Sequence, residues 1–175
     1  AEGTLGFVVE ATMRLERAPK NLTAMVLGTP DFDSIMPVLH AFQDKLDLTA
    51  FEFFSDKAMA KIMGRGDVPA PFETECPFYA LLEFEAISED IANDALATFE
   101  HCVEQGWVLD GVMSQSQQQL ENLWKLREFI SETISHWTPY KNDISVTVGK
   151  VPAFLHDIDS IVGEHYPDFE IVWFG

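Results

Sequence analysis

Residues 78–113 read FYALLEFEAISEDIANDALATFEHCVEQGWVLDGVM, and the fold turns on this stretch. Phe78 to Phe84 is an apolar run of strand length. Ser88 follows in N-cap position, where its hydroxyl can accept from the free N–H groups of a first helical turn. The helix it starts runs to about Gln105. Gly106 ends it, because glycine takes the left-handed conformation of a helix C-terminus without steric penalty. Trp107 to Met113 then reads as a second strand, so the stretch forms one β-α-β unit.

The same alternation extends to both sides. Upstream, Thr23 to Leu27 is a short apolar strand, and Pro30-Asp31 starts a helix through about Lys45 with Ile35, Met36, Leu39 and Phe42 on one stripe. Leu48 to Phe54 closes that unit. Downstream, Asp143 to Val148, a helix from about Pro152 to His165, and Glu170 to Phe174 make a third. Between the units lie a short helix from Asp56 to Met63 ending at Gly64, a Pro- and Gly-rich loop from Arg65 to Pro77, and a long helix from about Ser116 to His136. An isolated extended segment, Leu5 to Leu15, precedes them all.

Strands and helices interleaved in this way predict an α+β fold: a ferredoxin-like arrangement of duplicated β-α-β units with helices on one face of a mostly antiparallel sheet. A doubly wound parallel sheet is the competing arrangement. No Gly-rich turn joins a strand to a helix, so the chain carries neither a phosphate cradle nor a dinucleotide fingerprint.

With 175 residues and 47% apolar content, the chain suits one domain with a sizeable core. Eleven Lys+Arg against 29 Asp+Glu give a formal net charge of −18, which disfavours nucleic acid and anionic membrane surfaces as partners. Cys76 and Cys102 have no metal-site or redox spacing and suit a reducing cytoplasm. No apolar run approaches the ~20 residues of a membrane span, and no signal segment opens the chain, so a cytoplasmic location without a transmembrane segment is expected. The chain opens without Met and stops on the apolar run Ile171 to Gly175, which reads as an excised piece of something longer.

The five histidines, His40, His101, His136, His156 and His165, show no metal-ligand spacing, and no nucleophile setting is present. No catalytic and no metal-binding residue is therefore expected in this chain.

Two features stand out as binding candidates. In the long helix, Leu120, Leu123, Trp124, Ile130 and Ile134 form an apolar stripe with Arg127 near its middle and Ser131 one turn on. A buried guanidinium is costly, so Arg127 must have an acidic partner, reach solvent, or face a cleft that receives an anion. In the strand that follows, alternation puts Ile144, Val146 and Val148 on one face and Lys141, Asp143, Ser145 and Thr147 on the other. That second face is either a solvated sheet surface or the floor of a site shared with another domain, and in the latter case Arg127 and Lys141 together would clamp a carboxylate, the arginine as a planar fork and the lysine as a point charge.

Two groups of residues resemble a known family. Glu2-Gly-Thr-Leu-Gly-Phe-Val-Val-Glu-Ala-Thr-Met-Arg-Leu15 resembles the closing strand of the FAD-binding domain in flavoproteins of the vanillyl-alcohol oxidase type. Leu123-Trp-Lys-Leu-Arg-Glu128 and Tyr140-Lys-Asn-Asp-Ile-Ser-Val146 resemble the C-terminal substrate (cap) domain of the FAD-linked D-lactate, glycolate and D-2-hydroxyglutarate dehydrogenases. The chain departs from that pattern at Thr147, where proline is usual, and at Val9, where threonine is.

The resemblance implies a division into residues 1–17, a terminal strand of an FAD-binding domain, and 18–175, a substrate domain truncated at its C-terminus. It implies that Arg127, Ser131 and Lys141 bind substrate and that Gly3, Thr4, Gly6 and Val8 lie near the flavin. It further implies a parent enzyme oxidising a D-2-hydroxy acid by hydride transfer to FAD, with the FAD-binding domain of the same parent chain as partner. Catalytic histidines, and the ligands of a possible divalent metal, would lie beyond Gly175. The piece alone would then bind no FAD and turn nothing over. A freestanding ferredoxin-like module that binds a small anion or pairs with itself, without catalysis, is the alternative.

Overall fold

The computed structural model describes residues 3–15 and 17–175; Ala1, Glu2 and Glu16 lie outside the described residues. Four strands form one antiparallel sheet: β1 (Leu22–Thr29), β2 (Leu48–Ser55), β3 (Phe78–Glu85) and β4 (Asp110–Met113), in the order β2-β3-β1-β4. The register runs Val26 to Leu81 between β1 and β3, Phe53 to Ala80 between β2 and β3, and Val26 to Val112 between β1 and β4. Each β-α-β unit thus supplies one central and one edge strand, which is the ferredoxin-like order. The helices are α1 (Ile35–Gln43), α2 (Asp56–Met63), α3 (Glu89–Glu104), α4 (Gln117–Glu128), α5 (Ile130–Ile134) and α6 (Val151–His165).

Local chemistry explains where several of them start. Ser55, Ser88 and Ser116 each precede a helix in extended conformation, and their hydroxyls accept from Ala58, Ile91 and Gln119 N–H groups respectively. Before α1 the cap comes from Asp31 instead, whose Oδ1 accepts from the Ser34 N–H at 2.8 Å and the Ser34 hydroxyl at 2.7 Å. Pro37 falls in the first turn of α1, where a missing N–H costs nothing.

The antiparallel α+β sheet matches expectation, but helices cover both of its faces and not one. Ala24, Val26, Phe54, Tyr79 and Leu81 pack against α2, α4 and α5 through Ile62, Leu123, Leu126 and Ile130. Met25, Leu27, Ala80, Leu82 and Phe84 pack on the other side against α1, α3 and α6 through Val38, Phe42, Cys102 and Leu155. The reason lies in β1 and β3, where consecutive residues from Ala24 to Leu27 and from Tyr79 to Phe84 are all buried. A strand apolar on both sides needs cover on both sides.

The third predicted unit does not close. Residues 139–147 form no strand, and Ile144 and Val148, expected on one apolar strand face, are 54% and 61% exposed. No neighbouring strand offers this segment a ladder among the described residues, and an extended run without a ladder is not a strand. The final segment does reach the sheet: Phe174 bridges antiparallel to Phe54, and Phe53 and Gly175 exchange backbone hydrogen bonds at 2.6 and 3.0 Å. Residues 5–15, expected to be extended, are exposed and form no strand; Phe7 and Val9 are 94% and 95% exposed.

Candidate functional site: Arg127 and its neighbours

The long helix predicted from Ser116 to His136 is interrupted at Phe129, which ends α4 and precedes α5, and a short 3₁₀ turn, Ser135–Trp137, follows. Thr133 lies against the interruption, its hydroxyl donating to the Phe129 carbonyl at 2.7 Å. The buried side of α4 and α5 is Leu120, Leu123, Leu126, Ile130, Thr133 and Ile134. Leu126 and Thr133 were not on the expected stripe. Their presence rotates the buried face, so Arg127 sits on its flank, 20% exposed, and not at its centre.

On that flank Arg127 meets the edge strand β2. Its Nε lies 2.8 Å from Oε2 of Glu52, and its guanidinium carbon lies 4.9 Å from the ring centre of Phe174. The acidic-partner alternative for Arg127 is therefore the one realised. The pair is close without being aligned as a hydrogen bond, and both contacting atoms are withdrawn from solvent. Among the described residues, neither Nη atom makes a hydrogen bond.

One turn of α4 before Arg127, the Trp124 indole N–H donates at 2.8 Å to Oε2 of Glu83, a buried carboxylate on β3. The other oxygen of Glu83 accepts from the Thr49 hydroxyl at 2.8 Å. Glu83 is thus satisfied by two neutral donors and makes no claim on Arg127.

One turn after Arg127, the Ser131 hydroxyl accepts from Lys141 Nζ at 3.3 Å. The structure therefore brings Ser131 and Lys141 into contact and places Ser131 four residues from Arg127, on the next turn of the same helical stretch. It does so without the expected strand, since Lys141 belongs to the exposed irregular segment.

Below α5, Arg65 stacks on the Phe129 ring at 4.6 Å and donates to Thr133 Oγ1 at 3.2 Å. Its Nε and Nη2 form a fork on Asp67 at 3.0 and 3.1 Å. Hydrogen bonding from Arg65 holds the Asp67 carboxyl below its ordinary value, and the same bond raises the Arg65 guanidinium. These contacts pin the loop after α2 to the helix interruption.

Gly3, Thr4, Gly6 and Val8 stand apart from this cluster on the exposed N-terminal segment. A Cβ at Gly3 or Gly6 would meet nothing within 4 Å, so the backbone there is open to a ligand or another polypeptide. These residues by themselves do not enclose a flavin. Among the described residues no group of three or more His, Cys, Asp or Glu is placed to hold a metal ion, and no helix is long and apolar enough to cross a membrane.

Glu52, Glu83 and Phe174 were not singled out from the sequence. The signal for the two carboxylates was present in the alternation: Glu52 shares a face with Phe54, and Glu83 with Leu81. Phe174 could not be found this way, because its place depends on the last segment crossing to β2.

Comparison with known proteins joins these observations. Residues 18–175 match the family of FAD linked oxidases, C-terminal domain. Over its full length the chain is 89% identical to a D-2-hydroxyglutarate dehydrogenase of Stutzerimonas stutzeri, covering 38% of that protein. It is 49% identical to a D-2-hydroxyglutarate dehydrogenase of Xanthomonas citri pv. viticola, covering 37% of it. Over 93% of its length it is also 29% identical to a mitochondrial D-2-hydroxyglutarate dehydrogenase of Danio rerio, covering 31% of that protein. The chain thus spans well under half the length of these relatives. Its ferredoxin-like sheet and the family match over residues 18–175 lead to one conclusion: the chain belongs to the FAD linked oxidase C-terminal domain family.

Proposed function

We propose that this chain is the substrate-holding part of a longer flavoprotein that oxidises D-2-hydroxyglutarate, with Arg127, Ser131 and Lys141 binding the substrate carboxylates. The contact between Lys141 Nζ and Ser131 Oγ, one helical turn from Arg127, whose Nη edge makes no hydrogen bond among the described residues, carries this reading. It collects two cations and a hydroxyl at one end of α4 in a chain of net charge −18. A dicarboxylate has use for both cations. The D-2-hydroxyglutarate dehydrogenases among the relatives support the same substrate over lactate or glycolate.

In such an enzyme the chemistry that bound FAD would supply is acceptance of the hydride leaving the hydroxyl-bearing carbon. The residues of this chain act on binding and placement. The Arg127 fork would hold one carboxylate, and Lys141 with Ser131 would hold the other, so that the carbon bearing the hydroxyl is presented in one orientation. Residues 1–17 would be the last strand of the FAD-binding domain, with Gly3, Thr4, Gly6 and Val8 near the flavin. By this reading the isolated chain neither retains FAD nor reduces a dye.

Replacing Arg127 or Lys141 by Ala in the full-length flavoprotein tests the proposal. Loss of kcat/KM for D-2-hydroxyglutarate with unchanged flavin content is expected. Near-normal kinetics in both variants would return Arg127 to a purely structural ion pair with Glu52.

A further inference from the structure

We propose that Glu52 is a positioning residue that aims Arg127 at the substrate, a role that rests on the substrate contact proposed above for Arg127. A guanidinium is a rigid planar fork, so its aim is set once one N–H edge and one face are held. Both constraints come from the β2 edge. Glu52 Oε2 sits 2.8 Å from Nε, and the Phe174 ring lies against the guanidinium at 4.9 Å.

Neither support is free to drift. Glu52 lies in the ladder opposite Leu81, and Phe174 is bridged to Phe54. What remains of the fork is the Nη edge, which makes no hydrogen bond among the described residues and belongs to a side chain still 20% exposed. That edge offers the two parallel donors a carboxylate takes up bidentately.

The surrounding charges leave Glu52 as the group that does this. Glu83, a buried carboxylate on β3, is occupied by Trp124 and Thr49. Lys61 is paired with Glu170 at 2.7 Å, and Arg65 with Asp67. The Nε contact is close but off-line, so Glu52 holds Arg127 by charge and proximity, leaving the directed hydrogen bonds of the fork for the ligand.

The test is steady-state kinetics of the full-length flavoprotein with D-2-hydroxyglutarate, alongside flavin content. Glu52→Gln keeps the shape and removes the charge; KM is expected to rise about tenfold with kcat within about twofold, because the loss is in uniform binding. Glu52→Leu should raise KM further, and Arg127→Lys should then add little to it, since the fork it removes is already misaimed. If Glu52→Gln does not fold, Glu52→Asp, which withdraws the carboxylate by one methylene, is expected to show the same KM rise.

An unchanged or lowered KM in the folded Glu52 variants, with a large loss in Arg127→Ala, would overturn the role of Glu52 while leaving Arg127 as a substrate ligand. Near-normal kinetics in Arg127→Ala would instead overturn the substrate contact itself, and with it the role of Glu52.

Discussion

The indole N–H of Trp124 donates to the buried carboxylate of Glu83 at 2.8 Å, tying α4 to the centre of the sheet one turn before Arg127. Glu83 keeps its second oxygen on Thr49. Removing the indole donor leaves a buried carboxylate oxygen without a partner. Trp124→Phe is therefore expected to cost about 1–3 kcal/mol in urea unfolding, and Glu83→Gln, which retains one acceptor, less. A neutral result for Trp124→Phe would mean that water replaces the indole.

Substrate kinetics should rank the three proposed ligands by charge. Arg127→Ala and Lys141→Ala in the full-length flavoprotein each lose a charge-assisted contact, so falls of about 10–100-fold in kcat/KM are expected. Ser131→Ala removes only a neutral hydroxyl and should fall less than tenfold. A Ser131→Ala loss equal to that of Lys141→Ala would mean that the hydroxyl's main task is to hold Lys141.

Gly28, in the central strand β1, has no room for a side chain. A Cβ there would lie 2.2 Å from Cys76 Sγ and 3.2 Å from Phe72 Cζ, both in the loop that crosses β1. Gly28→Ala should destabilise by about 1–3 kcal/mol, and Cys76→Ala in the same chain should recover part of that. Denaturant midpoints of the single and double variants decide this; no recovery would place the strain in the contacts with Cys76 Cβ at 3.0 Å, which alanine keeps, and with Phe72 Cζ.

Alkaline pH should weaken the fold through Cys102. Burial in α3 pushes its thiol from an ordinary 9.0 to about 11, and burial first, with Asp110 second, pushes Cys76 in the same direction. The folded state holds these protons more tightly than the unfolded one. The Cys102 contribution is thus fully present below about pH 9 and is lost between about pH 9 and 11, to the extent of about 2–3 kcal/mol. Cys102→Ala should flatten the decline in midpoint over that range, and an unchanged slope would assign the decline to other groups. At pH 8 neither thiol should react with an alkylating agent while the chain is folded.

The local devices of the fold were legible residue by residue. Ser88 caps α3 as expected, the helix from Asp56 to Met63 ends at Gly64, and the segment from Arg65 to Pro77 is a loop. These depend on neighbours within a few positions, where sterics and hydrogen bonding are settled by the residues themselves. The doubly covered sheet was also written in the chain, as the unbroken apolar runs Ala24 to Leu27 and Tyr79 to Leu82, although strand-helix alternation alone pointed to a single covered face.

What the sequence by itself determined is the alternation of strands and helices, their caps, and the placing of Arg127 and Ser131 one turn apart on one helical stretch. Only the tertiary structure decided that Arg127 meets Glu52, that Phe174 lies beneath its guanidinium, that α4 breaks at Phe129, and that residues 139–147 reach Ser131 without becoming a strand. Periodicity records which side of an element is apolar, whereas a partner contributed by a distant segment is chosen when the whole sheet and its two helical layers pack together.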